Sequence, residues 1–129
     1  MPRATGTFDV KLAPIDNYEA AIGRMSIDKT FAGDLVGVSK GEMLAHMTST
    51  KGSAGYVAME RVSGTLAGRS GTFVFQHTGS MNRGAQSLSV TVVPDSGTEE
   101  LTGLSGSFQI IIEGKDHSYD FEYSLPTEG

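Results

Sequence analysis

The stretch Tyr56-Val57-Ala58-Met59-Glu60-Arg61-Val62-Ser63-Gly64-Thr65-Leu66-Ala67-Gly68-Arg69-Ser70-Gly71-Thr72-Phe73-Val74-Phe75-Gln76-His77 decides the fold. It is two alternating runs around a glycine-containing turn, the pattern of a β-hairpin. Side chains alternate faces along a strand, and directly opposed residues share a face. With Gly68-Arg69 as the two-residue turn, Gly64 opposes Phe73, Val62 opposes Phe75 and Glu60 opposes His77. On the other face Arg61 opposes Gln76 and Thr65 opposes Thr72. The face with Tyr56, Ala58, Val62, Phe73 and Phe75 is the more apolar and is expected to point inward. It takes Glu60 and His77 in with it, and a buried carboxylate is costly unless it is paired.

Outward from this hairpin the same pattern recurs. Strands are expected at roughly 5–12, 24–32, 35–47, 55–65, 71–79, 86–93, 106–113 and 118–125, with ends uncertain by about 2–4 residues. Helix signals are weak: Asp16 to Gly23 has a capping Asp and a closing Gly, and a loop fits it equally well. Short connections favour sequential hairpins, and an open eight-stranded meander would leave two raw edges. The expected fold is therefore all-β, a closed antiparallel eight-stranded barrel in a single domain over residues 1–129, with a two-sheet sandwich as the alternative. In the last hairpin, a turn at Lys115-Asp116 sets Ile112 against Tyr119, Ile110 against Phe121 and Phe108 against Tyr123, an apolar wall whose polar atoms are two phenol hydroxyls.

A short repeat supports this punctuation. Leu66-Ala67-Gly68-Arg69-Ser70-Gly71-Thr72-Phe73 matches Leu101-Thr102-Gly103-Leu104-Ser105-Gly106-Ser107-Phe108, and Leu35-Val36-Gly37-Val38-Ser39-Lys40-Gly41 is a weaker third copy. The glycines read as turn formers and the following Phe as the start of a core-facing run. A phosphate-cradling loop would need a helix after the glycines, whereas strands follow.

Composition narrows the function. The chain has 129 residues, no cysteine and a formal net charge of −5. Thiolate chemistry, disulfides and cysteine zinc sites are excluded. An acidic chain with no basic stripe is not expected to bind nucleic acid or anionic membranes. No window reaches the length of a membrane span and the first ten residues lack a signal-peptide core, so a cytoplasmic protein is expected.

Several stretches together carry a family resemblance: Tyr56 to Leu66, Gly68 to His77, Val93-Pro94-Asp95-Ser96-Gly97-Thr98, Leu101, Gly103-Leu104-Ser105-Gly106, His117-Ser118-Tyr119 and Glu122-Tyr123. From about Met25 onward the chain resembles bacterial proteins of the DUF3224 family, whose function is unknown. That family looks like the calycin-type barrels related to plant allene oxide cyclase. The resemblance thus implies a closed barrel, and it supplies no catalytic motif. Cyclase activity would be carried over by fold alone.

Glu60 and His77 are the sharpest candidates for chemistry: a carboxylate can orient an imidazole and raise its basicity for acid–base work. A satisfied polar pair inside a barrel is the plainer reading. Tyr56, Phe73, Phe75, Tyr119, Phe121 and Tyr123 are the expected ligand-lining residues. Tyr119 and Tyr123 could also donate to a developing oxyanion or simply anchor the wall. His46, His77, His117, Glu42 and Glu60 show no metal-ligand spacing, and no cofactor is expected. No serine sits in a nucleophile elbow. Asp95, Glu99 and Glu100 read as solvated loop charge. Met43 and Met47 read as core filler before ligand wall.

Three functions follow as expectations. The first is a barrel that binds an apolar small molecule. The second is a cofactor-free isomerase or cyclase using Glu60 and His77. The third is a plugged structural or oligomeric module, since eight strands enclose room for packed side chains or one small ligand. Apolar outward residues such as Val74 and Ile111 would allow a homo-oligomer.

Overall fold

The computed structural model describes residues 2–19 and 22–126, side chains 16–19 apart. Eight strands run in order: β1 (Arg3–Glu19), β2 (Ile22–Gly33), β3 (Leu35–Met47), β4 (Ala54–Leu66), β5 (Arg69–Asn82), β6 (Ala85–Val92), β7 (Ser105–Glu113) and β8 (Asp116–Ser124). Each pairs antiparallel with the next, and β8 returns to β1, so the sheet is a closed barrel. Closure removes the free edges that a meander would expose. The helix considered at Asp16 to Gly23 is absent where the chain is described: Asp16–Glu19 and Ile22-Gly23 are strand, and Ala20 and Ala21 lie outside the described residues. No helix among the described residues is long and apolar enough to cross a membrane.

Both sequence-read hairpins form, each two residues out of the expected register. Leu66 pairs with Arg69, so the β4–β5 turn is Ala67-Gly68, and Glu60 opposes Phe75 while His77 opposes Ala58. Glu113 pairs with Asp116, so the β7–β8 turn is Gly114-Lys115, and Phe108 opposes Phe121. The reason is turn chemistry. Tight hairpins need positive φ at one or both central positions, and Ala67 (φ 49°), Gly68 (φ 86°) and Gly114 (φ 60°) supply it. A shift of two preserves parity, so every inward residue stays inward.

The two ends of the barrel differ. At one end the lumen is packed solid. Phe31, Phe73, Phe75, Phe108, Tyr119 and Phe121 interlock, with Phe73–Phe75 (5.0 Å between centroids) and Phe75–Phe121 (5.4 Å) edge-on and Phe108–Tyr119 (5.1 Å) stacked. Leu35, Leu66 and Leu101, the first residues of the repeat copies, are all fully buried here. The Tyr119 hydroxyl bolts the end shut: it accepts from Leu35 N–H at 2.9 Å and donates to the Ala32 carbonyl at 3.0 Å.

The long β6–β7 connection completes the seal. β6 begins pairing with β5 only at Phe75, which leaves the start of β5 without a strand neighbour on that side. The connection takes its place: Val74 N–H donates to Ser96 Oγ, Thr72 N–H to Thr98 Oγ1, and Ser70 N–H to Glu100 Oε1. Glu100, read from sequence as solvated charge, therefore also completes the backbone hydrogen bonding of the sheet. A single 3-10 turn, Glu99–Leu101, then drops Leu101 into the core.

At the other end the wall flares. β1 pairs with β8 only as far as Thr7–Ser118, and β6 meets β7 at Thr91–Ser107, while the β1–β2, β3–β4 and β5–β6 hairpins run on.

Candidate functional site

Strand parity places a run of apolar side chains on the inner face of the flared end. Cα pairing aligns Leu12 with Ile27, Met25 with Met43, Met47 with Ala54, and Ala54 with Met81. These rows share the inner parity of Val62 and Phe73. Yet Met47 is 81% exposed, Ile112 63%, Leu12 48% and Leu88 47%. Four of the chain's six methionines, Met25, Met43, Met47 and Met81, stand on this inner face. Met47, at that exposure, is accordingly not core filler: nothing among the described residues encloses it. A cavity of about 290 Å³ lies against the β3–β6 side, lined by Met43, Ala45, Met47, Tyr56, Gly79, Met81 and Leu88 among others. That is just below the usual volume of small-molecule sites, and unbranched thioether chains suit an adaptable apolar wall.

Tyr56 floors this cavity. It pairs across the sheet with Gly79, and a β-carbon there would fall 2.3 Å from the tyrosine ring, so the absent side chain lets the ring lie across β5. The ring centroid is then 6.4 Å from that of His77. Burial, and secondarily the Glu60 carboxylate, push the Tyr56 phenol above its usual pKa.

Beneath Tyr56 lies a buried polar cluster. His77 Nε2 is 2.7 Å from Glu60 Oε2, so the inward pair expected from sequence is in contact. The contact runs diagonally across β4 and β5, because the cross-strand partner of Glu60 is Phe75. Two further members join them. Lys29 Nζ donates to the same Oε2 at 2.8 Å, and Ser39 Oγ donates to Oε1 at 3.0 Å. The side chains of Glu60, His77 and Lys29 are 0%, 5% and 6% exposed. The ammonium also stands 5.1 Å from the centroid of Phe8, a cation–π contact. Burial pushes the Glu60 carboxyl up, but the His77 hydrogen bond and the Lys29 ammonium outweigh it and hold the group below its ordinary pKa. Glu60 is thus a carboxylate beside the Lys29 ammonium, and as an acceptor it takes the hydrogen that His77 carries on Nε2. Nδ1 has no protein partner among the described residues.

Lys29 was missed from sequence, although the signal was there. Along β2, Met25, Ile27, Lys29 and Phe31 share one face, so parity alone puts a lysine among apolar neighbours. Ser39 follows in the same way from Leu35, Gly37 and Met43 on β3.

The remaining expected ligand residues lie lower. Phe73, Phe75, Tyr119 and Phe121 are buried in the plug, and Tyr123 is buried beside them, 5.5 Å from Phe121 between ring centroids. Of the six, Tyr56 lines the cavity. His46, His77 and His117 do not converge, and no group of three metal-ligating side chains forms among the described residues. A larger depression, about 630 Å³, lies on the outer wall by Arg24, Glu42, Leu44, Val57, Met59 and Gln76. His77 borders it from behind, with its side chain turned inward to Glu60.

A family model described as a protein of unknown function (DUF3224) matches residues 4–123. The chain is similar to a crystal structure of a protein with unknown function from the DUF3224 family of Shewanella oneidensis MR-1, at 50% identity over 99% of each chain and a TM-score of 0.95. No curated protein matches the chain.

Proposed function

We propose that this chain, which belongs to the DUF3224 family, binds an apolar small molecule in the flared half of its barrel. One observation carries the reading: inward-facing apolar side chains, from Met47 to Ile112, stay exposed on a concave wall while the opposite end is packed solid. Apolar side chains gathered on one concave wall, unlike singly scattered ones, mark a surface that takes a partner or a ligand. The closed eight-stranded barrel also supports, at the level of fold, a likeness to the allene oxide cyclase barrels.

The test uses Nile red, an uncharged probe whose emission rises in apolar surroundings. Emission rises with the wild-type chain. Met81→Glu, which sets a carboxylate in the cavity wall, abolishes the rise without a loss of β-sheet circular dichroism. Equal emission from both proteins would refute the assignment.

A second reading rests on the cluster beneath. With Nε2–H held by Glu60, Nδ1 of His77, which has no partner among the described residues, is placed to take a proton, and Tyr56 is a phenol close by. The barrel would then be a cofactor-free isomerase or cyclase that moves protons on the molecule it holds. Glu60→Gln and His77→Ala would abolish turnover of a bound compound. Normal rates in both variants end this reading.

A further inference from the structure

The charge of this chain is divided along its length. Residues 43–94 hold four basic side chains, Lys51, Arg61, Arg69 and Arg83, against one acidic side chain, Glu60, a formal +3. The other 77 residues hold six basic against fourteen acidic, a formal −8. The positive segment supplies the end of β3 and all of β4, β5 and β6, and hence the wall of the 290 Å³ cavity.

Two of the four cations are brought together at its rim. The β3–β4 turn and the β5–β6 turn are tied by Gly84 N–H to the Gly52 carbonyl at 2.9 Å and by Arg83 N–H to Ser53 Oγ at 3.0 Å. Lys51 and Arg83 therefore stand on adjoining turns directly beyond Met47 and Met81. Both are exposed, and neither is in an ion pair among the described residues. The carboxylates at this end of the β7–β8 hairpin, Glu113 and Asp116, stand past the gap where β6 and β7 part. Deeper in, Lys29 is already neutralised by Glu60. Among the described residues, the unpaired cations of this end are Lys51 and Arg83 on the cavity side and Lys115, which stands between Glu113 and Asp116 in the β7–β8 turn.

We propose that the molecule bound here is an anionic amphiphile, its apolar chain in the methionine-lined cavity and its charged head at the Lys51–Arg83 rim. This rests on the ligand-binding reading above and narrows it to a class. Wall and rim divide the work: the wall supplies affinity through apolar burial, and the rim selects charge and orientation. Because the rim cations are solvated, their effect is modest and screened by salt.

The experiment is isothermal titration of the full chain with three probes of equal chain length: decanoate, decanol and decyltrimethylammonium. At low salt decanoate binds about three- to tenfold more tightly than decanol, the range expected for two exposed ion pairs. Decyltrimethylammonium binds more weakly than decanol. The gap between decanoate and decanol closes in 1 M salt, where the screening length is about 3 Å. The double variant Lys51→Gln/Arg83→Gln brings decanoate to the affinity of decanol with an unchanged melting temperature, and Lys40→Gln, at an exposed cation near Asp28, changes nothing. Equal affinities for all three probes would overturn the inference and leave the apolar-ligand reading standing. Binding of none would overturn both. Phosphatidylglycerol vesicles then identify the source of the ligand: displacement of decanoate assigns the head to a bilayer lipid, and retention assigns it to a free acid.

Discussion

Glu60→Gln is the substitution whose consequence can be worked furthest. A glutamine amide can keep the hydrogen bonds. Its oxygen accepts from Lys29 and His77 where Oε2 did, and its nitrogen donates to Ser39 Oγ. What it cannot keep is the charge. Lys29, 6% exposed, is left as a buried cation with no counter-ion. Removing one partner of such a pair costs about 3–5 kcal/mol. Deprotonation of Lys29 limits the loss, since at pH 7 a free lysine pays at most about 4.6 kcal/mol to give up its proton. The loss should therefore fall at about 3–4.6 kcal/mol, measured by urea denaturation followed by circular dichroism, as the chain has no tryptophan.

The pH dependence separates this account from a loss of packing. In the parent protein the Glu60 pKa is lowered in the folded state, so its contribution is fully present above the unfolded carboxyl value and is lost as pH falls through the folded one. In Glu60→Gln the group that matters is Lys29, with a folded pKa now below its unfolded value of about 10.4. The unfolded chain then binds more protons, and stability rises with pH toward that value. Lys29→Met/Glu60→Gln removes both charges, sets an apolar chain beside Phe8 and recovers most of the loss. A Glu60→Gln loss below about 1 kcal/mol, or a double variant no more stable than the single one, would refute the reasoning.

Tyr119→Phe keeps the plug but deletes the hydroxyl that joins Leu35 N–H to the Ala32 carbonyl, leaving a buried donor unpaired. The expected cost is about 1–3 kcal/mol, read as a lower urea midpoint at an unchanged slope. Ala67 sits at φ 49° in the β4–β5 turn, a conformation asparagine tolerates better. Ala67→Asn should raise stability by about 0.5–1 kcal/mol, seen as a higher melting temperature.

The fold was largely legible because its signals are local. Alternation within residues 56–77 and 106–123 identified the strands and their inner faces. The exact partners were not legible, since a turn at Gly68-Arg69 and one at Ala67-Gly68 give the same parity and differ in register by two. Only the positive φ of Ala67 and Gly68 separates them. Glu60 and His77 were found as inward polar residues on the two arms of one hairpin. Lys29 joins them from β2, through a contact 31 residues distant in sequence that no hairpin argument contains.

Sequence by itself determined which residues face the lumen, because that is a period-two property of each strand's own backbone. Tertiary structure decided which of those residues are buried. Phe73 and Met47 both face inward, yet one is fully enclosed and the other is 81% exposed. Parity fixes a side chain's face and says nothing about what the other strands bring to the same height. Where β8 meets β1 and the β6–β7 connection lies against β5, the lumen fills. Where β1 runs past β8 and β6 parts from β7, the same inward pattern becomes the wall of a cavity.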